Sequence, residues 1–223
     1  MFCKVAIDGP AGSGKTTIAK LIAQRLGIEY LDTGAMYRAV GLYLHNCGAD
    51  PKDESIDKIL DNVKIDYVNG EYFLNGVKVG EEIRTPEAGM YASQFAANPK
   101  VRMFLTKVQK AICSNRSIVA EGRDIGTVVM PDATVKIFLI ASAEVRARRR
   151  YNELVAKDIK VSYDELYKQI LERDENDSKR DVAPLVKAPD AIEIDTSSLT
   201  IEEVVDKVLN IVKERCKLSE HRY

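Results

Sequence analysis

Val5-Ala-Ile-Asp8-Gly9-Pro10-Ala11-Gly12-Ser13-Gly14-Lys15-Thr16-Thr17 is the stretch whose reading decides the fold. Residues 5–7 form an apolar run stopped by Asp8-Gly9-Pro10, as a short buried strand would be. Over residues 16–26, Ile18, Ala19, Ile22, Ala23 and Leu26 recur at helical spacing while Lys20, Gln24 and Arg25 take the wet side, and Gly27 is a helix stop. Between strand and helix, residues 9–16 fit GxxxxGK[ST] in the strand, loop, helix context that this loop requires. Its glycines let successive backbone N–H groups close around phosphate oxygens, and the helix start adds partial positive charge. Lys15 is then placed for the β- and γ-phosphates of a nucleoside triphosphate, and the Thr16 hydroxyl for Mg²⁺. GTPases, transport ATPases, helicases and small-molecule kinases all use such a loop, so it names no second substrate.

Outward from the loop, strand patterns are expected at 29–31, 117–120, 135–140 and 191–194. Helical patterns lie at 143–157, 163–180 and 201–216, the last two opened by the capping boxes Ser162/Glu165 and Thr200/Glu203. Residues 50–89 differ in character. There, Asn69-Gly70 and Asn75-Gly76 separate three short strand-like runs, and Asn-Gly accepts the positive φ angles of tight hairpins, so a small antiparallel meander is expected. Thr85-Pro86-Glu87 reads as a helix start and Asn98-Pro99 as a break between two helices. The whole predicts a doubly wound, three-layer α/β fold with a parallel central sheet, an inserted small antiparallel β region and a helical lid. Arg146, Arg148, Arg149 and Arg150 form the densest positive cluster, read as lid cations, with a solvated helix face as the alternative.

The chain has 223 residues, with 33 Lys plus Arg against 34 Asp plus Glu, and its net charge of -1 gives no general attraction to nucleic acid or to acidic membranes. Cys3, Cys47, Cys113 and Cys216 lie far apart without a CxxC or Cys/His cluster and read as ordinary reduced thiols. No secretory leader pattern and no 18-residue apolar run is visible, so a cytoplasmic location is expected. A monomer is expected. Asp174, Asn176 and Ser178 imitate a calcium loop, but Lys179 stands where glycine is needed.

Asp32-Thr33-Gly34-Ala35-Met36-Tyr37-Arg38 falls where a second strand should end at the same sheet edge as the phosphate loop, where ligands gather. Here, and at Glu121-Gly122-Arg123-Asp124-Ile125-Gly126-Thr127-Val128-Val129, the sequence resembles the bacterial cytidylate kinase family. The blocks at 82–87, 136–139 and 182–191 carry the same resemblance over nearly the whole chain. It implies a nucleoside monophosphate kinase, 1–223, with a core of 1–40 and 115–223, a lid around 145–180 and an inserted acceptor-binding region at 41–114. The implied reaction moves the γ-phosphoryl of ATP, with Mg²⁺, onto CMP or dCMP. The resemblance assigns Gly9, Pro10, Ala11, Gly12, Ser13, Gly14, Lys15, Thr16 and Thr17 to ATP. It places Thr33, Tyr37, Ser93, Arg102, Arg123, Asp124, Arg173 and Arg180 around the CMP, with Asp32 and Arg38 beside them. Lys15, Arg123, Arg173 and Arg180 are the catalytic candidates, their cations suiting phosphate oxygens. Arg173 and Arg180, seven apart, would share one helix face. Glu121 and Asp32 both remain candidates to hold a magnesium-bound water. A nucleotide-operated switch is the rival class, opposed by the lack of an NKxD sequence; UMP, dTMP or a shikimate-like acceptor is the rival within kinases.

Overall fold

The computed structural model describes residues 2–216, the side chain of Glu54 excepted. The chain divides into two compact units, one running to Tyr30 and resuming at Ser117, the other Leu31–Arg116. The first holds β1 (Lys4–Asp8), α1 (Lys15–Leu26), the start of β2 (Glu29–Asp32), β6 (Ile118–Gly122), β7 (Val135–Ile140), α6 (Ala143–Val155), α7 (Tyr163–Ser178), β8 (Ile192–Asp195) and α8 (Ile201–Cys216). The second holds α2 (Thr33–Asn46), α3 (Asp57–Leu60), β3 (Ile65–Val68), β4 (Glu71–Leu74), β5 (Val77–Lys78), α4 (Pro86–Phe95) and α5 (Pro99–Cys113).

The central sheet has the order β2-β6-β1-β7-β8, and β1 pairs in parallel with both β6 and β7. Strand order thus reverses about β1, and the loops leaving β1 and β6 emerge side by side, with Asp8 opposite Gly122. Strands buried on both faces explain the unbroken apolar runs. On one face Val5, Ile7, Val119, Ile137, Leu139 and Ile194 pack with Ile18 and Ile22 of α1 and Val204, Val205, Val208 and Val212 of α8. On the other face the small Ala6 and Ala120 sit in register. A π-helical segment, Ile125–Val129, lies against β1.

One expectation is corrected here. Cys3 and Cys216 are joined in a disulfide with their Cα atoms 5.9 Å apart, so these two are not reduced thiols; Cys47 remains an exposed thiol. Both partners border the α1–α8 core cluster, one just before β1 and the other at the end of α8. Antiparallel packing of the first strand and the last helix sets the start of one beside the end of the other, a proximity that spacing along the chain does not reveal.

In the second unit, Asn69 and Gly70 take φ of 52° and 82°, and Asn75 and Gly76 take 51° and 79°, closing the β3-β4-β5 meander as two tight hairpins. The Thr85 hydroxyl accepts from the N–H of Ala88, and the Asn98 carboxamide oxygen from that of Lys100, capping α4 and α5 ahead of their first-turn prolines. Gly41 lets α2 meet α4: a Cβ there would stand 2.9 Å from the Ala92 nitrogen. The unit begins at Leu31 and takes in α2, most of which the sequence reading places in the core.

Helix α7 ends at Ser178, short of the expected 180, because the chain turns back there: the Leu185 N–H donates to the Asp177 carbonyl at 2.8 Å. Arg180 therefore lies beyond the helix and does not share a helical face with Arg173.

Candidate functional site

In the first unit the phosphate loop follows β1, with Gly9, Gly12 and Gly14 at φ of 150°, 77° and 91°. A Cβ on Gly9 would fall 2.0 Å from the Leu139 carbonyl oxygen, so this position admits only glycine. Lys15 opens α1 and is 6% exposed. Its ammonium donates to the Pro10 carbonyl at 2.6 Å and to Ser13 Oγ at 3.4 Å, so the cation sits in the mouth of the loop. Burial, then the nearby Arg123, lowers the Lys15 pKa to about 7, against the opposing pull of Glu121 and Asp8. A bound polyphosphate would restore its charge. Thr16 and Thr17 are exposed in the first turn of α1.

The arginines of α6 divide by task. Arg146 is 4% exposed; it donates to the carbonyls of Ala141 and, within the phosphate loop, Ala11, and grips both oxygens of Asp174 at 2.9 and 2.6 Å. Arg149 donates to the Thr196 carbonyl at 2.6 Å, and the Thr196 hydroxyl donates to the Ser13 carbonyl. Arg148 lies over the Tyr163 ring at 4.4 Å, and Arg150 pairs with Glu153. Two of the four thus brace the loop, and the other two serve the helix surface.

Arg123 and Arg180 converge on one carboxylate. Arg123 Nε donates to Asp177 Oδ2 at 2.8 Å, and Arg180 donates to Oδ1. Burial pushes the Asp177 pKa up, but Arg123 and Arg180, with help from Arg173, outweigh it and hold the carboxyl below its ordinary range. Asp124 is buried, and its carbonyl accepts from the N–H groups of Val128 and Val129. Glu121, at the end of β6, accepts from the Tyr30 hydroxyl.

In the second unit Asp32 caps α2: Oδ1 accepts from the Ala35 N–H at 2.9 Å and Oδ2 from Arg38 at 2.8 Å. Thr33 is buried and Ser93, on α4, half-buried. Arg102 on α5 is 2% exposed and carries its guanidinium 5.6 Å from the Tyr37 ring centroid. A buried cation over an aromatic face offers an anion a fixed, desolvated partner. The structure brings Tyr37 together with Arg102, and gathers Arg123 and Arg180 on the carboxylate of Asp177.

A family model described as cytidylate kinase matches residues 5–214. The chain belongs to the cytidylate kinase family. It is 76% identical over 218 residues to a cytidylate kinase of Fervidobacterium nodosum, covering 98% of this chain and 100% of the relative. It is 61% identical to a cytidylate kinase of Thermosipho melanesiensis, with the same coverage of 98% and 100%. Among solved structures, an uncharacterized protein from Eubacterium ventriosum superposes with a TM-score of 0.53 over 96% of this chain and 99% of that one, at 12% identity, a likeness of fold alone.

In the sequence Asp174 has no task beyond a chance likeness to a calcium loop and Asp177 has none, yet Asp174 holds Arg146, and Asp177 holds Arg123 and Arg180. Arg173 and Asp177 stand four apart in α7, a spacing that puts opposite charges on one helix face and could have pointed to Asp177. Asp8 was passed over too, since a strand-end carboxylate looks solvated until its neighbours are placed.

Proposed function

We propose that this chain transfers the γ-phosphoryl group of ATP to CMP and dCMP, giving ADP and the diphosphate. The observation that carries the reading is Lys15, buried in a glycine loop at the start of α1, in a chain that matches the cytidylate kinase family from residue 5 to 214. The acceptor phosphate is already an anion, so attack on the γ-phosphorus needs no strong base, and catalysis lies in positioning and charge. Lys15 and the loop N–H groups hold the donor phosphates. Arg123, Arg173 and Arg180 are assigned to the acceptor phosphate and the charge that develops in transfer. Thr33, Tyr37, Ser93, Arg102 and Asp124 are assigned to the nucleotide acceptor.

Mg²⁺ is assigned to the donor. The Thr16 hydroxyl, exposed in the first helical turn, is the hard oxygen the loop offers, and a magnesium ion that keeps waters and phosphate oxygens as its other ligands needs only one or two protein donors. The ion would offset negative charge on the transferred group. Both carboxylates stay candidates for a metal-bound water: the Asp32 oxygens are engaged by a helix cap and by Arg38, and Glu121 accepts from the Tyr30 hydroxyl.

We further assign the protein to pyrimidine nucleotide metabolism in the cytoplasm, as a monomer that acts on small nucleotides and not on nucleic acid. Among the described residues no helix is long and apolar enough to cross a membrane. The test is ADP release from Mg-ATP with CMP, dCMP, UMP, AMP, GMP, dTMP and shikimate as separate acceptors. Turnover confined to CMP and dCMP is the expected result; turnover with none of them, or faster turnover with another acceptor, overturns the assignment.

A further inference from the structure

Asp8 ends β1 and immediately precedes the phosphate loop, yet the transfer described above does not use it. Its side chain is buried, and each oxygen accepts one backbone N–H from far along the chain: Oδ1 from Ile125 at 2.8 Å and Oδ2 from Gly126 at 2.7 Å. Those two amides open the π-helical segment that follows directly on Arg123 and Asp124. Gly126 matters to the fit, since a Cβ there would stand 3.3 Å from Asp8 Oδ2 and 3.2 Å from Lys136 Cδ. A carboxylate is costly to bury, so its retention here calls for a task that an apolar side chain could not perform.

We propose that Asp8 is a positioning residue for phosphoryl transfer: its carboxylate clamps the start of the Ile125–Val129 segment and thereby fixes Arg123 beside the phosphate loop. The proposal rests on the kinase reading. Arg123 directly follows Gly122, which lies opposite Asp8 in the β1–β6 register, so it leaves its strand beside the start of the phosphate loop, and the clamp bears on its separation from Lys15, the other cation that the transferred phosphoryl must meet. Burial pushes Asp8 up to about 6, while the amides of Gly126 and Ile125 pull it down. Of the charged neighbours, Asp124 raises it further and Lys15 lowers it. The Lys136 stem lies near, its ammonium engaged by Asp190 at 2.9 Å. A protonated carboxyl would turn an O–H toward one of the two N–H donors, so the clamp loosens as pH falls through this range.

Asp8→Asn keeps the shape but sets an NH₂ against one amide; Gly126→Ala crowds the same bond and leaves Asp8 intact. In Asp8→Asn, kcat/KM for CMP should fall on the order of ten- to a hundredfold. ATP affinity by equilibrium titration above pH 7 should change by less than about threefold, because the loop N–H groups are unchanged and a bound polyphosphate keeps Lys15 charged without the pull of Asp8. Gly126→Ala should act in the same direction more weakly, and it carries the comparison if Asp8→Asn does not fold. The wild-type to Asp8→Asn ratio of kcat/KM should be large near pH 8 and approach one below about pH 6, with ionisation of the CMP phosphate cancelling in the ratio. A pH-independent ratio, equal losses of ATP affinity and CMP turnover, or no loss of either overturns the proposal. Amide hydrogen exchange across residues 124–129 reads the clamp without turnover: faster exchange in Asp8→Asn is expected, and unchanged exchange refutes the clamp. Wild-type protein inactive on CMP would refute the kinase reading instead.

Discussion

Replacing both Cys3 and Cys216 by serine should lower the melting temperature sharply while leaving the native fold in place. The native state keeps its last helix without the bond, because Val204, Val205, Val208 and Val212 stay buried against α1 and the sheet. The change falls on the denatured chain, which gains the freedom of a loop closed over a sequence separation of 213. Loop-closure entropy for that length is worth about 5 kcal/mol at room temperature. At roughly 2–4 °C per kcal/mol for a chain of this size, the expected shift is about 10–20 °C. Calorimetry of the Cys3→Ser/Cys216→Ser variant and of wild type with and without reductant makes the measurement, with Cys47 and Cys113 unchanged as controls. Reduced wild type should melt with the double variant. A shift below about 3 °C in both would show that the denatured chain is not constrained as reasoned here.

Lys15→Ala should lower kcat by on the order of a hundredfold or more, whereas Arg180→Ala should mainly raise KM for CMP; near-normal steady-state kinetics for both would refute their roles. Gly41→Ala should cost about 1–3 kcal/mol in urea unfolding, because the added methyl meets the backbone of Tyr91 and Ala92 at 2.9 Å. Asp177 binds fewer protons folded than unfolded, so its contribution to stability is present above the ordinary carboxylate pKa and is lost as pH falls through its lower folded value. Asp177→Asn should therefore flatten part of the acid limb of a stability-against-pH curve, and an unchanged limb would show that the arginines do not hold the carboxyl as described.

Periodicity and turn chemistry carried most of the fold. The helix from Lys15 to Leu26, the strand from Val135 to Ile140 and the last helix to Cys216 stand where their apolar spacing places them, and both Asn-Gly pairs turn as their tolerance of positive φ demands. These are local signals, written within one or two turns of chain. What was not legible depends on residues far apart meeting: Cys3 with Cys216, Arg146 with Asp174, and Asp8 with the amides of Ile125 and Gly126. The phosphate loop was visible because its chemistry is contiguous. The burial of Arg146 was not, since an arginine-rich helix read alone looks like a solvated or mobile surface. The end of α7 before Arg180 was missed because it is set by the backbone turn from Asp177 to Leu185, which no side-chain spacing announces.

The two Asn-Gly hairpins also set a chemical clock. A glycine after asparagine leaves the following backbone nitrogen unhindered for attack on the carboxamide, the route by which asparagine ages to aspartate and isoaspartate, faster with heat. Asn75 is partly guarded, since its side-chain oxygen accepts from the Lys64 N–H at 2.7 Å and its own N–H donates to the Lys64 carbonyl at 2.8 Å. Asn69, exposed at the β3-β4 tip, is the site where age should register first. An isoaspartate there inserts an extra backbone atom into a two-residue turn and adds a negative charge close to Glu71, so the meander would wear out from its outermost tip.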